Sequence, residues 1–187
     1  MLTVHANVWP RIVVVTGFEA GHGRTTVAIN LALTLAREGR YVLLVDADGM
    51  GPEVLSQLGI RGGHALTAGD GATLPFCPMW MSSQLGLWVA RAGSDAALDA
   101  GGLLLQELES EFDAVVVDAP VLSAWSEPSW TSRFADALLL VAHNEPLSAP
   151  GVRLLLRESV IPVLGLAVNA APPDDHWASR DPGRSRT

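Results

Sequence analysis

Between a β-branched run at Ile12–Val15 and a helical pattern that begins at Thr25 lies the segment Gly17-Phe18-Glu19-Ala20-Gly21-His22-Gly23-Arg24-Thr25-Thr26. A strand, a glycine-containing loop and a helix start are what a phosphate-cradling loop requires. Glycines let backbone N–H groups approach phosphate oxygens, and a helix N-terminus adds a favourable partial charge. A hydroxyl in the first helical turn can hold Mg²⁺. Gly21, Gly23 and Thr25 fit these roles. Four further polar residues end or closely follow apolar runs: Asp46, Asp48, Asp118 and Asn169. The plainer alternative is an ordinary strand-to-helix turn with carboxylates that close strand ends.

The elements that must position these residues alternate between apolar runs and helical patterns, the signature of repeated βαβ units. Strands are expected at Ile12–Val15, Tyr41–Val45, Leu87–Ala90, Ala114–Val117, Ala137–Val141 and Val163–Val168. Helices are expected at Thr25–Glu38, Leu98–Glu111 and Gly151–Glu158, with a short one at Val54–Leu58. The first helix carries apolar residues on almost every face and should be buried on several sides. Gly39 ends it, with Arg37 and Arg40 near the negative end of its dipole. The strands are near-continuous apolar runs, so both sheet faces should be covered, as in a parallel sheet. The fold class is therefore α/β: a doubly wound, mostly parallel sheet of about six strands with helices on both faces. In such sheets ligands bind at the carboxyl ends of the strands, where the polar residues named above fall. Residues 1–171 read as one domain without internal repeats. The polar tail 172–187 has no apolar period and is expected to be disordered. The stretch from about Gly49 to Gly86 reads as largely irregular.

Composition narrows the function classes. The chain has 187 residues, 49% of them apolar and 17% charged, which supports a folded core and argues against disorder. A net charge of -8 excludes a broadly basic, phosphate-tracking surface, and no clear nucleic-acid face stands out. The single cysteine, Cys77, cannot by itself make a disulfide, a cysteine-rich zinc site or an iron–sulfur ligand set. No secretory leader and no apolar run of the roughly 18 to 20 residues that span a bilayer is present, so a soluble cytoplasmic protein is expected. The five histidines lack metal-ligand spacing. No Ser-His-Asp or Cys-His nucleophile constellation stands out. Tryptophans read mostly as packing residues. Met79, Trp80 and Met81, in a Gly/Pro-rich loop, are the candidate for an exposed partner-binding patch. All twelve basic residues are arginine.

Taken together, these segments resemble the ParA/MinD family of P-loop ATPases, whose deviant Walker A loop reads Lys-Gly-Gly-x-Gly-Lys-Thr-Thr. Val45-Asp46-Ala47-Asp48 is similar to the family's VDAD switch segment. Phe112 through Pro120 (FDAVVVDAP) resembles its Walker B strand and second switch. Ala135-Asp136-Ala137 with Leu138–Val141, then Glu145-Pro146-Leu147-Ser148, is similar to the next strand and its loop. Leu164 through Asn169 (LGLAVN) resembles the strand whose Asn reads adenine. The likeness covers residues 11–170. It implies an ATP site with Gly21, His22, Gly23, Arg24, Thr25 and Thr26 around the phosphates and Asn169 at the adenine. It implies Mg²⁺ served by Thr25 and Asp118, with Asp46 sharing the metal environment or capping its strand. Asp48 would orient the attacking water, beside the cationic Arg24. It also implies a nucleotide-dependent homodimer and an unknown protein partner.

The departures from the family pattern matter as much. Phe18 replaces the first loop glycine, Glu19 the signature lysine, Ala20 the next glycine and Arg24 the phosphate-binding lysine. At roughly 5 Å and an effective dielectric of about 20, a unit-charge repulsion is about 3 kcal/mol. Glu19 would thus cost more than a hundredfold in affinity facing the phosphates, and little facing solvent. Arginine keeps the charge of lysine with a bulkier, planar head. Ala170 stands where the family often has Arg after the Asn. No counterpart of the C-terminal amphipathic helix that anchors MinD-like members to membranes is expected in residues 172–187.

Two readings follow: an ATP-driven positioning or recruitment switch with weak or slow hydrolysis, or a pseudo-ATPase scaffold that binds pilus, secretion or cell-division machinery. The atypical loop resembles the TadZ/CpaE-type branch. An iron–sulfur carrier of the nitrogenase-iron-protein type is set aside for want of cysteines.

Overall fold

The computed structural model describes residues 10–48, 53–60, 80–82, 86–91, 111–122, 135–143 and 161–169. Uncharged runs of Val, Leu, Ile and Ala favour strands when both faces can be buried. They form β1 (Ile12–Gly17), β2 (Val42–Asp46), β4 (Leu87–Arg91), β5 (Ala114–Asp118), β6 (Ala137–His143) and β7 (Val163–Asn169). These six strands are parallel, and every one matches an expected strand within two residues at each end. A seventh, β3 (Trp80–Ser82), pairs antiparallel with β4 in the stretch that reads as irregular. The sheet order is β3-β4-β2-β5-β1-β6-β7.

Side chains alternate between two apolar clusters, one on each face of the sheet. Leu43, Val45, Val115 and Val117 point to one cluster, whereas Val42, Leu44, Ala114 and Val116 point to the other. β1, β2 and β5 are buried at every position. β7 departs from that expectation: Leu164, Leu166 and Val168 are exposed along one of its faces. Two carboxylates pin strand starts, with Asp136 accepting the Ile12 N–H and Asp113 accepting the Tyr41 N–H, each at 2.9 Å.

Helix α1 (Arg24–Arg37) starts one residue before the expected position. Ala28, Ile29, Ala32, Leu35 and Ala36 bury its inner face, and Val27, Leu31 and Leu33 are partly buried beside it. Only the stripe of Thr26, Asn30, Thr34 and Arg37 is exposed, so the expectation of burial on several sides holds. After Gly39 the chain turns, and Arg40 N–H bonds Leu35 O at 3.3 Å, closing the helix end. Helix α2 (Glu53–Gln57) is one turn long and buries Val54 and Leu55 against the α1 face of the sheet. No described helix is long and apolar enough to cross a membrane.

The helices expected at Leu98–Glu111 and Gly151–Glu158 lie outside the described residues, apart from Glu111, which sits in a turn. So do Cys77, Met79, Trp125, Trp130, Glu145 to Ser148 and the tail 172–187.

Candidate functional site

Parallel pairing brings the carboxyl ends of neighbouring strands to one edge of the sheet. Register sets Asp46 of β2 directly beside Asp118 of β5, and Asp118 beside Val15 of β1. Both aspartates are buried, Asp118 completely. Asp46 Oδ2 accepts the Val54 N–H at 3.3 Å, which ties β2 to α2. Neither Asp118 carboxylate oxygen has a hydrogen-bond partner. Burial pushes the Asp118 pKa up to about 7, chiefly through lost solvation. The nearby Thr25 hydroxyl and the Arg24 charge oppose that rise, while Asp46 and Asp48 reinforce it.

Above this pair, β1 runs into the glycine loop and the loop into α1. Gly17 closes β1 where a Cβ would sit 2.5 Å from Val141 O, so only glycine fits between β1 and β6 there. Gly23 is the N-cap of α1 in the left-handed region (φ 83°), with no side chain to cap the first N–H groups. A Cβ on Gly23 would lie 2.0 Å from Asn169 Nδ2. That amide donates to His22 O at 3.1 Å, so Asn169 braces the loop from β7. The His22 ring faces His143, with centroids 5.8 Å apart, and its Nε2 lies 3.6 Å from Glu19 Oε2.

Arg24 is buried, with its stem along Gly17. Its guanidinium donates to Ala119 O and reaches Asp48 Oδ2 at 3.4 Å, in an ion pair nearly closed to solvent. Thr25 Oγ1 donates to Glu53 Oε2 at 3.2 Å, and Thr26 Oγ1 to Gln57 Oε1 at 3.3 Å. Three contacts therefore join α2 to the start of α1 and the end of β2.

These residues enclose a cavity of about 560 Å³, within the range of small-molecule sites. Gly21, Gly23, Arg24, Thr25, Thr26 and Asp48 line it, as does Ala20. Asp46, Asp118, His22 and Asn169 are not part of that lining. The Glu19 side chain is 74% exposed and also stays out of the lining, which settles its orientation in favour of solvent. Glu53 and Gln57 line the cavity although nothing in the sequence singled them out. Their signal was weak: a polar residue at the start of a short helix has many ordinary uses.

The donor set fits a hard divalent cation with a phosphate ligand. Asp118 offers two orphaned oxygens next to a threonine hydroxyl, and the uncapped start of α1 opens on the cavity. Among the described residues no three His, Cys, Asp or Glu side chains converge as a preformed metal cage. A magnesium ion does not need one, because it keeps waters and takes phosphate oxygens as ligands.

Comparisons with known proteins bear on the family and the fold. The family model of the CobQ/CobB/MinD/ParA nucleotide binding domain matches residues 13–178. An iron-sulfur cluster carrier protein of Deinococcus radiodurans is 28% identical over 84% of this chain and 48% of its own length. The antiactivator FleN of Pseudomonas aeruginosa is 28% identical over 79% of this chain and 55% of its own length. The chain thus spans about half the length of these relatives. Among solved structures, the VpsO kinase domain superposes with a TM-score of 0.72 at 24% identity, covering 90% of this chain and 88% of that one. The septum site-determining protein MinD of Pyrococcus horikoshii, complexed with Mg-ADP, gives a TM-score of 0.68 at 20% identity, covering 88% and 72%. The two structures show a shared fold, and the family match covers the loop, both aspartate-bearing strands and Asn169: the chain belongs to the CobQ/CobB/MinD/ParA family of nucleotide-binding domains.

Proposed function

We propose that this chain binds an adenine nucleotide with Mg²⁺ and acts in the cytoplasm as a nucleotide-dependent positioning or recruitment switch with slow hydrolysis. The observation that carries the reading is Asp118, fully buried with both oxygens unpartnered, beside Thr25. Orphaned buried acceptors are costly unless a ligand satisfies them, and a cation does so here.

In this reading the backbone of Gly21, His22, Gly23, Arg24, Thr25 and Thr26 receives the phosphates. Thr25 and Asp118 hold Mg²⁺, with Asp46 contributing charge from behind while it stays bonded to Val54. When bound, Mg²⁺ would neutralise phosphate charge and steady the leaving group. Asp48 would orient the attacking water, a reading supported by its place in the cavity lining. Asn169 steadies the loop through one amide N–H, and its other N–H and its Oδ1 are the groups that would serve the adenine. A face-to-face homodimer and a protein partner complete the switch. Relatives named as carriers of iron–sulfur clusters match the same domain, but the single Cys77 cannot supply a cluster's ligands from this chain alone.

One observation favours the scaffold reading instead. The Arg24 guanidinium is already engaged by Asp48 and Ala119 O, so a phosphate must compete for it. Calorimetric titration with MgATP and MgADP at pH 8 separates the two. Micromolar binding, followed by slow phosphate release in a turnover assay, supports the switch. Absence of heat with either nucleotide overturns it and leaves the scaffold.

A further inference from the structure

Glu53 has a role that the family resemblance does not provide. Thr25 is buried at the start of α1, and its hydroxyl carries one proton and two lone pairs. Thr25 lies near both carboxylates, but its hydroxyl meets hydrogen-bond geometry with Glu53 Oε2, at 3.2 Å, and with neither Asp118 oxygen, so the proton goes to Glu53. A hydroxyl whose proton is held by an anion turns its lone pairs away from that anion and becomes a better cation ligand. Glu53 lines the same cavity as Thr25.

We infer that Glu53 is a positioning residue for the divalent cation: by holding the Thr25 proton it aims the Thr25 oxygen toward Asp118, and it makes helix α2 a part of the cation site. The inference rests on the nucleotide reading above and deepens it. Its structural counterpart is the clamp of α2 onto the site. Val54 N–H bonds Asp46 and Gln57 accepts from Thr26, both at 3.3 Å, so α2 has fixed neighbours on either side of Glu53. Partners of a metal ligand that orient it without touching the metal typically contribute about tenfold to a hundredfold in metal affinity.

The test uses Mn²⁺ as the probe, followed by loss of its free paramagnetic resonance signal at pH 8 with saturating ADP. Glu53→Ala should weaken Mn²⁺ binding about tenfold. Glu53→Gln keeps an acceptor for the Thr25 proton without the charge and should recover part of that loss, while retaining the native urea midpoint. The Thr25→Ala/Glu53→Ala double variant should bind no worse than Thr25→Ala alone, because Glu53 acts through Thr25. Glu53→Ala within twofold of wild type overturns the inference, as do losses that multiply in the double variant. Wild-type protein that binds neither ADP nor Mn²⁺ overturns the nucleotide reading itself and this inference with it. Wild-type protein that binds both, with Glu53→Ala unaffected, overturns the inference alone.

Discussion

Asp46 and Asp118 are register partners in adjacent parallel strands, so two buried carboxylates leave the sheet side by side. Burial of Asp118, reinforced by the charge of Asp46, has a pH signature. The Asp118 pKa is raised from 3.8 to about 7, so the folded chain holds a proton that the unfolded chain releases. The contribution to stability is complete below about pH 4, declines as pH rises, and is lost through about pH 7. The rise corresponds to a penalty on the order of 4 kcal/mol for the ionised form at pH 8. Urea unfolding of the ligand-free protein should therefore show stability falling from pH 5 to pH 8. Asp118→Asn should flatten that slope, and millimolar Mg²⁺ with ADP should offset it in wild type. A stability profile that rises across this interval in wild type contradicts the assignment.

The Arg24–Asp48 pair should behave as a buried one, since its side chains are 9% and 10% exposed. Removing Arg24 strands Asp48, and Arg24→Met should cost about 3 kcal/mol in urea unfolding. Asp48→Asn should release the guanidinium and tighten MgADP binding by roughly threefold to tenfold, the direction expected when a competing anion is removed. Unchanged or weaker ADP binding in Asp48→Asn would show that Arg24 takes no part in holding phosphate.

Glu19 offers a contrast, because its carboxylate faces solvent. Exposed charges are screened, so Glu19→Lys should alter MgADP affinity of the monomer by less than about threefold. A hundredfold gain in calorimetry would mean that Glu19 turns inward on ligand binding.

Gly23 should tolerate nothing larger. Gly23→Ala meets both a left-handed backbone and the Asn169 amide 2.0 Å from the new Cβ. A loss of about 2 to 3 kcal/mol in unfolding free energy is expected. Adding Asn169→Ala should recover part of it, since the clash is removed and the backbone cost of about 1 kcal/mol stays. Additive losses in the double variant would place the strain elsewhere.

Much of the sheet was legible because each of its central strands is an unbroken apolar run, and such runs have few other uses in an α/β chain. Ile12–Val15 and Ala114–Val117 are examples. The loop was legible for a different reason: glycines, a cation and hydroxyls between a strand and a helix form a local pattern. β3 was not legible, since Trp80–Ser82 is held by antiparallel pairing to β4 rather than by any periodicity of its own. Glu53 escaped notice because its significance arises only when α2 docks on α1. Asn169 stood out in the sequence as a base contact, and its position beside His22 and Gly23 became visible only in the fold. The exposed face of β7 also went unforeseen, because Leu164, Leu166 and Val168 look no different in composition from the buried strands.

The bond from Asn169 to His22 O joins residues 147 positions apart. At the usual synthesis rates that separation is roughly 10 to 30 s of translation. The β1 strand and the loop thus leave the ribosome long before the side chain that braces the loop at His22. A nascent chain that has already laid β1, β2 and β5 together still carries an unbraced loop. The brace itself arrives only when β7 docks, which makes a braced loop a sign of finished folding rather than of an early nucleus.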